Sequence, residues 1–185
     1  MTSAAPNRIN IIIDRARHII VSPASEWDRV LRDTATIAGL YKNYALIVAA
    51  IPAVFTFLSL VTTPFAIALG VAAKAYLLSL AGTAALAFIA DFLAPQFKGA
   101  ANQINAFKLV IFSATPAWVA GVFVVIPVIG GILSFAGALY SLYVLYLGVP
   151  KLLKVPQEKA GIFTVIIAVV GAIAMMVVSK VFTFG

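Results

Sequence analysis

Residues 107–148 read FKLVIFSATPAWVAGVFVVIPVIGGILSFAGALYSLYVLYLG. About 20 mostly apolar residues cross a bilayer core, and this stretch, with Lys108 as its one charge, is about twice that length. Its centre is Ile126-Pro127-Val128-Ile129-Gly130-Gly131, where proline stops one helix and glycine permits a reversal. The stretch is therefore predicted to be two spans, Phe107 to Val125 and Val128 to Gly148, joined as a tight hairpin.

Working outward, three further apolar runs have spanning length: Tyr44 to Thr62, Ala75 to Leu93 and Gly161 to Phe182. Residues 65–73 are apolar too, so either the second helix starts at Phe65, long and tilted, or a short apolar loop lies in the interface. The fold class is all-α, a polytopic membrane protein with five transmembrane helices in residues 44–185 behind an amino-terminal segment, residues 1–43. Composition agrees: 63% hydrophobic residues, 10% charged and a mean hydropathy of +1.10, against about half apolar and a quarter charged in soluble domains.

The charges orient the chain. With the amino terminus inside, eleven of the thirteen basic residues fall on the cytoplasmic side, and only Lys74 and Lys180 lie outside. The positive-inside rule then predicts a cytoplasmic amino terminus and an external carboxyl terminus, and the membrane expected is a cytoplasmic (inner) one. No signal peptide fits the start, because the first long apolar run begins only near Tyr44. A formal net charge of +7 reads as attraction to anionic headgroups at the cytoplasmic face of the lipid bilayer, not to nucleic acid.

Two short amphipathic helices precede the first span. Ile9, Ile12, Ile13, Ala16 and Ile20 share one face of the first, opposite Asn10, Asp14, Arg17 and His18. Ser22 as N-cap, Pro23 at the first helical position and Glu26 in the first turn open the second, along which Trp27, Val30, Leu31, Thr34 and Ala38 align. Both are expected on the membrane surface or on the bundle.

Little catalytic chemistry is available. Six acids, one His and no Cys exclude disulfide and thiolate chemistry, weigh against a protein-built metal cage and suggest no cofactor. His18 reads as a solvated surface side chain. Asp91, the one acid inside an apolar run, either ends its helix at headgroup level, with Pro95 and Lys98 following, or marks an ion path. Lys74 and Lys108 are each one snorkelling length from an interface and need no buried role.

Pro52 and Pro116 fall inside spans. Each frees a backbone carbonyl, Val48 or Phe112, for a neighbour, water or a hydroxyl such as Ser113 or Thr115. They read as static kinks or as hinges in a broken helix. Tyr140, Tyr143 and Tyr146 run down the fourth span as cross-bundle hydrogen-bonders or headgroup anchors. Gly130, Ser134 and Ala138, and again Gly137 and Ser141, allow close helix approach within the bundle or in a homo-oligomer. The one internal echo, Ile51-Pro52-Ala53-Val54-Phe55 against Thr115-Pro116-Ala117-Trp118-Val119, is too short to mark a duplication.

The order of these landmarks resembles the short prokaryotic branch of the Yip family, membrane proteins first described as interacting with Ypt/Rab GTPases. The resemblance runs through Pro23-x-x-Glu26-Trp27, Phe97-Lys98-Gly99 leading to Lys108, Ser113-x-x-Pro116, and Ile126-Pro127 with Gly130-Gly131. It continues in Gly137-x-x-Tyr140-Ser141-x-Tyr143, Gly148-x-Pro150 and Pro156-x-x-Lys159-Ala160. It implies a five-helix Yip domain with a cytoplasmic amino terminus. The Asp-Leu-Tyr-Gly-Pro motif of longer eukaryotic members is missing, so GTPase binding is not carried over. The expectation is a non-enzymatic protein acting as a membrane-organising scaffold for another membrane protein or a second copy. A small transporter or channel for an ion, lipid or metabolite is the alternative, and a cavity from Asp91 towards Pro116 would favour it.

Overall fold

Asn7 accepts the Ile9 N–H and opens α1 (Arg8–Val21), and Pro23 occupies the first turn of α2 (Pro23–Arg32). A computed structural model describes residues 7–181, so Phe182, the expected end of the last span, lies outside the described residues. Beyond α2 come five long helices: α3 (Ile37–Ser59), α4 (Phe65–Phe97), α5 (Gln103–Val125), α6 (Ile129–Leu152) and α7 (Gln157–Val181). All five are long and apolar enough to cross a membrane, and no strand occurs among the described residues. The chain is an all-α polytopic membrane protein.

The central helix is α5. In its apolar window 56% of residues are buried, against 22–28% in the other four helices. It packs on α3, α4 and α6, while α7 closes against α4 and α6. The amino-terminal helices join this bundle: α2 lies on α6, and α1 lies along α5.

Several boundaries differ from expectation. Helix α3 begins at Ile37, not Tyr44, because the Thr36 hydroxyl caps it by accepting the Gly39 N–H at 3.0 Å. It contains a π-helical turn, Tyr41–Ala45. Helix α2 consequently stops at Arg32, so Thr34 and Ala38 do not extend its face, and the Ser22 side chain makes no cap bond although its carbonyl accepts the Glu26 N–H. Helix α4 runs from Phe65, the longer of the two expected arrangements. Its 33 residues span about 50 Å at 1.5 Å per residue, so it must tilt or emerge from a core of about 30 Å.

The buried residues of α1 are Ile12 and Ile19, whereas Ile9 and Ile13 are 60% and 59% exposed. The helix docks by one edge of its apolar stripe and turns the other edge outward. In the hairpin between α5 and α6 the reversal is carried by Val128, at φ 64° and ψ −60°, inside a γ-turn closed by Ile129 N–H to Pro127 C=O at 2.7 Å. The expected part for glycine is thereby changed. Gly130 allows close approach, since a Cβ there would stand 2.0 Å from the Phe123 carbonyl oxygen.

Candidate functional site

Trp27 is fully buried at the junction of α2 with the bundle, and its indole N–H donates to the Val144 carbonyl of α6 at 3.1 Å. It fits there because residue 148 is glycine: a Cβ at Gly148 would lie 2.7 Å from Trp27 Cε2 and 2.6 Å from Leu109 Cδ1. Around this anchor, bundle side chains bind the amino-terminal backbone. The Tyr140 hydroxyl donates to the Ile20 carbonyl at 2.7 Å. Lys151 donates to the Ala24 carbonyl at 2.8 Å and pairs with the Asp28 carboxylate at 2.6 Å.

Lys108 contradicts the snorkelling expectation. It is 3% exposed, and its Nζ donates to the Val30 carbonyl at 2.9 Å and the Asp33 carbonyl at 2.5 Å. Those carbonyls end α2, where unpaired C=O groups and the helix dipole favour a cation. The ammonium turns inward because α2 covers it.

Beside it, Arg15 bridges two carboxylates. It donates to Glu26, itself 1% exposed, at 2.5 Å and to Asp33, and its guanidinium stands 5.6 Å from the centre of the Phe112 ring. Arg29 takes the second Glu26 oxygen at 3.1 Å. The Tyr44 hydroxyl meets Thr115 Oγ1 at 2.9 Å. Between α1, the 33–36 turn, α3 and α5 a pocket of ≈ 690 Å³ remains, lined among others by Arg15, Asp33, Asn43, Tyr44, Lys108 and Phe112.

This group was not read from the sequence. Ile12, Arg15 and Ile19 share one helical face, and Pro23, Glu26 and Val30 another. The signal was a charge placed between core positions.

The prolines form tight contacts. A Cβ on Gly121 would sit 2.4 Å from Pro52 Cβ, and one on Gly137 would meet the Pro116 carbonyl at 3.1 Å and Ala120 Cβ at 2.3 Å. Beside the Pro116 kink Ser141 accepts the Ala117 N–H at 3.0 Å, meeting a donor and not the Phe112 carbonyl that proline frees, while Ser113 Oγ is buried without a partner. Tyr146 accepts from Gln157 at 2.8 Å, and Tyr143 is exposed. Asp91 is half-buried near the end of α4 with Oδ1 enclosed and unbonded, and neither it nor Pro116 lines the pocket. Among the described residues no three His, Asp or Glu side chains form a metal-binding group.

These contacts join the landmarks in pairs: Trp27 with Gly148, Pro116 with Gly137 and Ser141. The Yip1 domain family model matches residues 17–179, from within α1 almost to the end of α7. The chain belongs to the Yip1 domain family. It is similar to the inner membrane protein YohC of Escherichia coli K12, 22% identical over 169 residues that cover 84% of this chain and 87% of that protein. The YohC of E. coli O6:H1 matches with the same identity and coverage. No solved structure matches. In this Yip1 domain the matched region includes α2 and the last turn of α1, as expected where both helices pack on the bundle.

Proposed function

We propose that the chain is a non-enzymatic inner-membrane protein that acts as a membrane-organising, partner-binding scaffold. The observation that carries this reading is the attachment of α1 and α2 to α5 and α6 through Trp27, Lys108, Tyr140 and Lys151. It holds the exposed Arg17, Arg29 and Arg32 on a platform of fixed shape. A platform of this kind suits anionic headgroups and a membrane protein partner or second copy better than it suits turnover. The name of the YohC relative supports an inner membrane, and the eleven-to-two division of basic residues supports a cytoplasmic amino terminus and an external carboxyl terminus. On this reading residues 1–43 form the cytoplasmic segment and 44–185 the membrane domain.

One observation favours transport instead: a carboxylate oxygen on the second spanning helix, Asp91 Oδ1, that is enclosed and unbonded. The two readings part in purified protein reconstituted into vesicles, with proton, sodium and potassium movement followed for wild type and Asp91→Asn. The scaffold reading predicts leak-level flux in both and an unchanged folded yield. A wild-type flux abolished by Asp91→Asn in folded protein would overturn it.

A further inference from the structure

We propose that the ≈ 690 Å³ pocket between α1, the 33–36 turn, α3 and α5 binds the phosphate-bearing headgroup of an anionic lipid, with Lys108 as its principal cation. This goes beyond the scaffold reading and does not rest on it.

The charge arrangement is the first argument. An ammonium has three donors, and Lys108 spends two on the neutral carbonyls of Val30 and Asp33. Among the described residues no carboxylate pairs with it, because Asp33 and Glu26 are both taken by Arg15. A cation that is 3% exposed and has no carboxylate in contact, with Asp33 on the pocket wall acting only from beyond contact range and already shared with Arg15, is costly in a low-dielectric setting, and an anion entering the pocket would supply a closer counter-charge. Arg8, bonded to Asn43 at 2.6 Å on the pocket wall, adds a second positive charge.

The walls are the second argument. The floor is apolar, made by the buried Ile12, Val30, Leu40 and Phe112, whereas Thr34, Thr36 and Asn43 at the rim are exposed and polar. This lining matches a molecule with an anionic head and an apolar body. Its volume falls within the roughly 300–1,000 Å³ of small-molecule sites.

Depth is the third. Lys108 and Phe112 stand about 7.5 and 13.5 Å along α5 from Gln103, at 1.5 Å per residue, so with the start of α5 at the headgroup level the pocket would descend into the acyl region of a core about 30 Å thick. A lipid reaches this place laterally, whereas a soluble phosphate ester must come from the cytoplasm.

The test is native mass spectrometry of the full chain released from detergent with phosphatidylglycerol or phosphatidylcholine, and with glycerol 3-phosphate as a soluble competitor. Lys108→Gln keeps donors for the α2 carbonyls and removes the charge. Thr34→Trp fills the rim without touching the ion pairs. We expect phosphatidylglycerol to be retained at least tenfold over phosphatidylcholine, both variants to lose that preference, and excess glycerol 3-phosphate to displace little. Equal retention of the two lipids, or undiminished preference in folded Thr34→Trp, would overturn the proposal. Displacement of the lipid by equimolar glycerol 3-phosphate would overturn the lipid assignment in favour of a soluble phosphate ester.

Discussion

The Trp27 indole occupies the space that a side chain on Gly148 would need: a Cβ at that position would stand 2.7 Å from Trp27 Cε2. The amino-terminal helix and the fourth span are therefore matched in shape. Gly148→Ala should lower stability by about 1–3 kcal/mol, the usual cost of overpacking. Combined with Trp27→Leu, the part of the penalty due to the indole should vanish, since contacting residues couple, while the contact with Leu109 Cδ1 at 2.6 Å remains. Unfolding of the four variants in detergent measures the coupling, and additive effects would show that Trp27 does not sit on Gly148.

Val128 holds a backbone conformation that a β-branched residue adopts only under strain, at φ 64° in a γ-turn. Val128→Gly relieves that strain, which costs on the order of 1–3 kcal/mol, and loses about 1 kcal/mol to the extra freedom of glycine in the unfolded chain. The expected outcome is a small rise in thermal midpoint. Gly130→Ala should lower it, because a Cβ there would stand 2.0 Å from the Phe123 carbonyl oxygen. A fall for Val128→Gly would contradict the turn geometry.

Much of this architecture could be read from hydropathy alone. All five spans were recognised because long apolar runs need no knowledge of neighbours. The boundary at Ile37 was missed because Thr36 caps a helix whose first residues are not uniformly apolar. The candidate site was harder to read: Lys108 looks like any lysine near a helix end until α2 is laid over it, and Arg15 looks solvated until Glu26 and Asp33 are brought to it from 11 and 18 residues away. Local periodicity shows which face of α1 is apolar, but only packing selects Ile12 and Ile19 and leaves Ile9 and Ile13 outside.

Orientation has its own test, since the carboxyl-terminal side of an odd number of spans must lie opposite the amino terminus. A reporter active only outside the cytoplasm should work when fused after Gly185 and fail when inserted between Ala94 and Ala106. Equal activity at both positions would contradict five spans with this orientation.

The central claim is that α1 and α2 are held in fixed positions on the membrane domain, and the pair Asp28 and Lys151, whose charged groups lie 2.6 Å apart, tests it most directly. The chain has no cysteine, so Asp28→Cys with Lys151→Cys introduces one unique thiol pair, and Asp28→Cys with Phe65→Cys pairs α2 with the far end of α4. In native membranes a short bismaleimide should crosslink the first pair rapidly within one chain and the second not at all. If both pairs stay uncrosslinked while each thiol still reacts with a monofunctional maleimide, the amino-terminal helices are not held on the bundle.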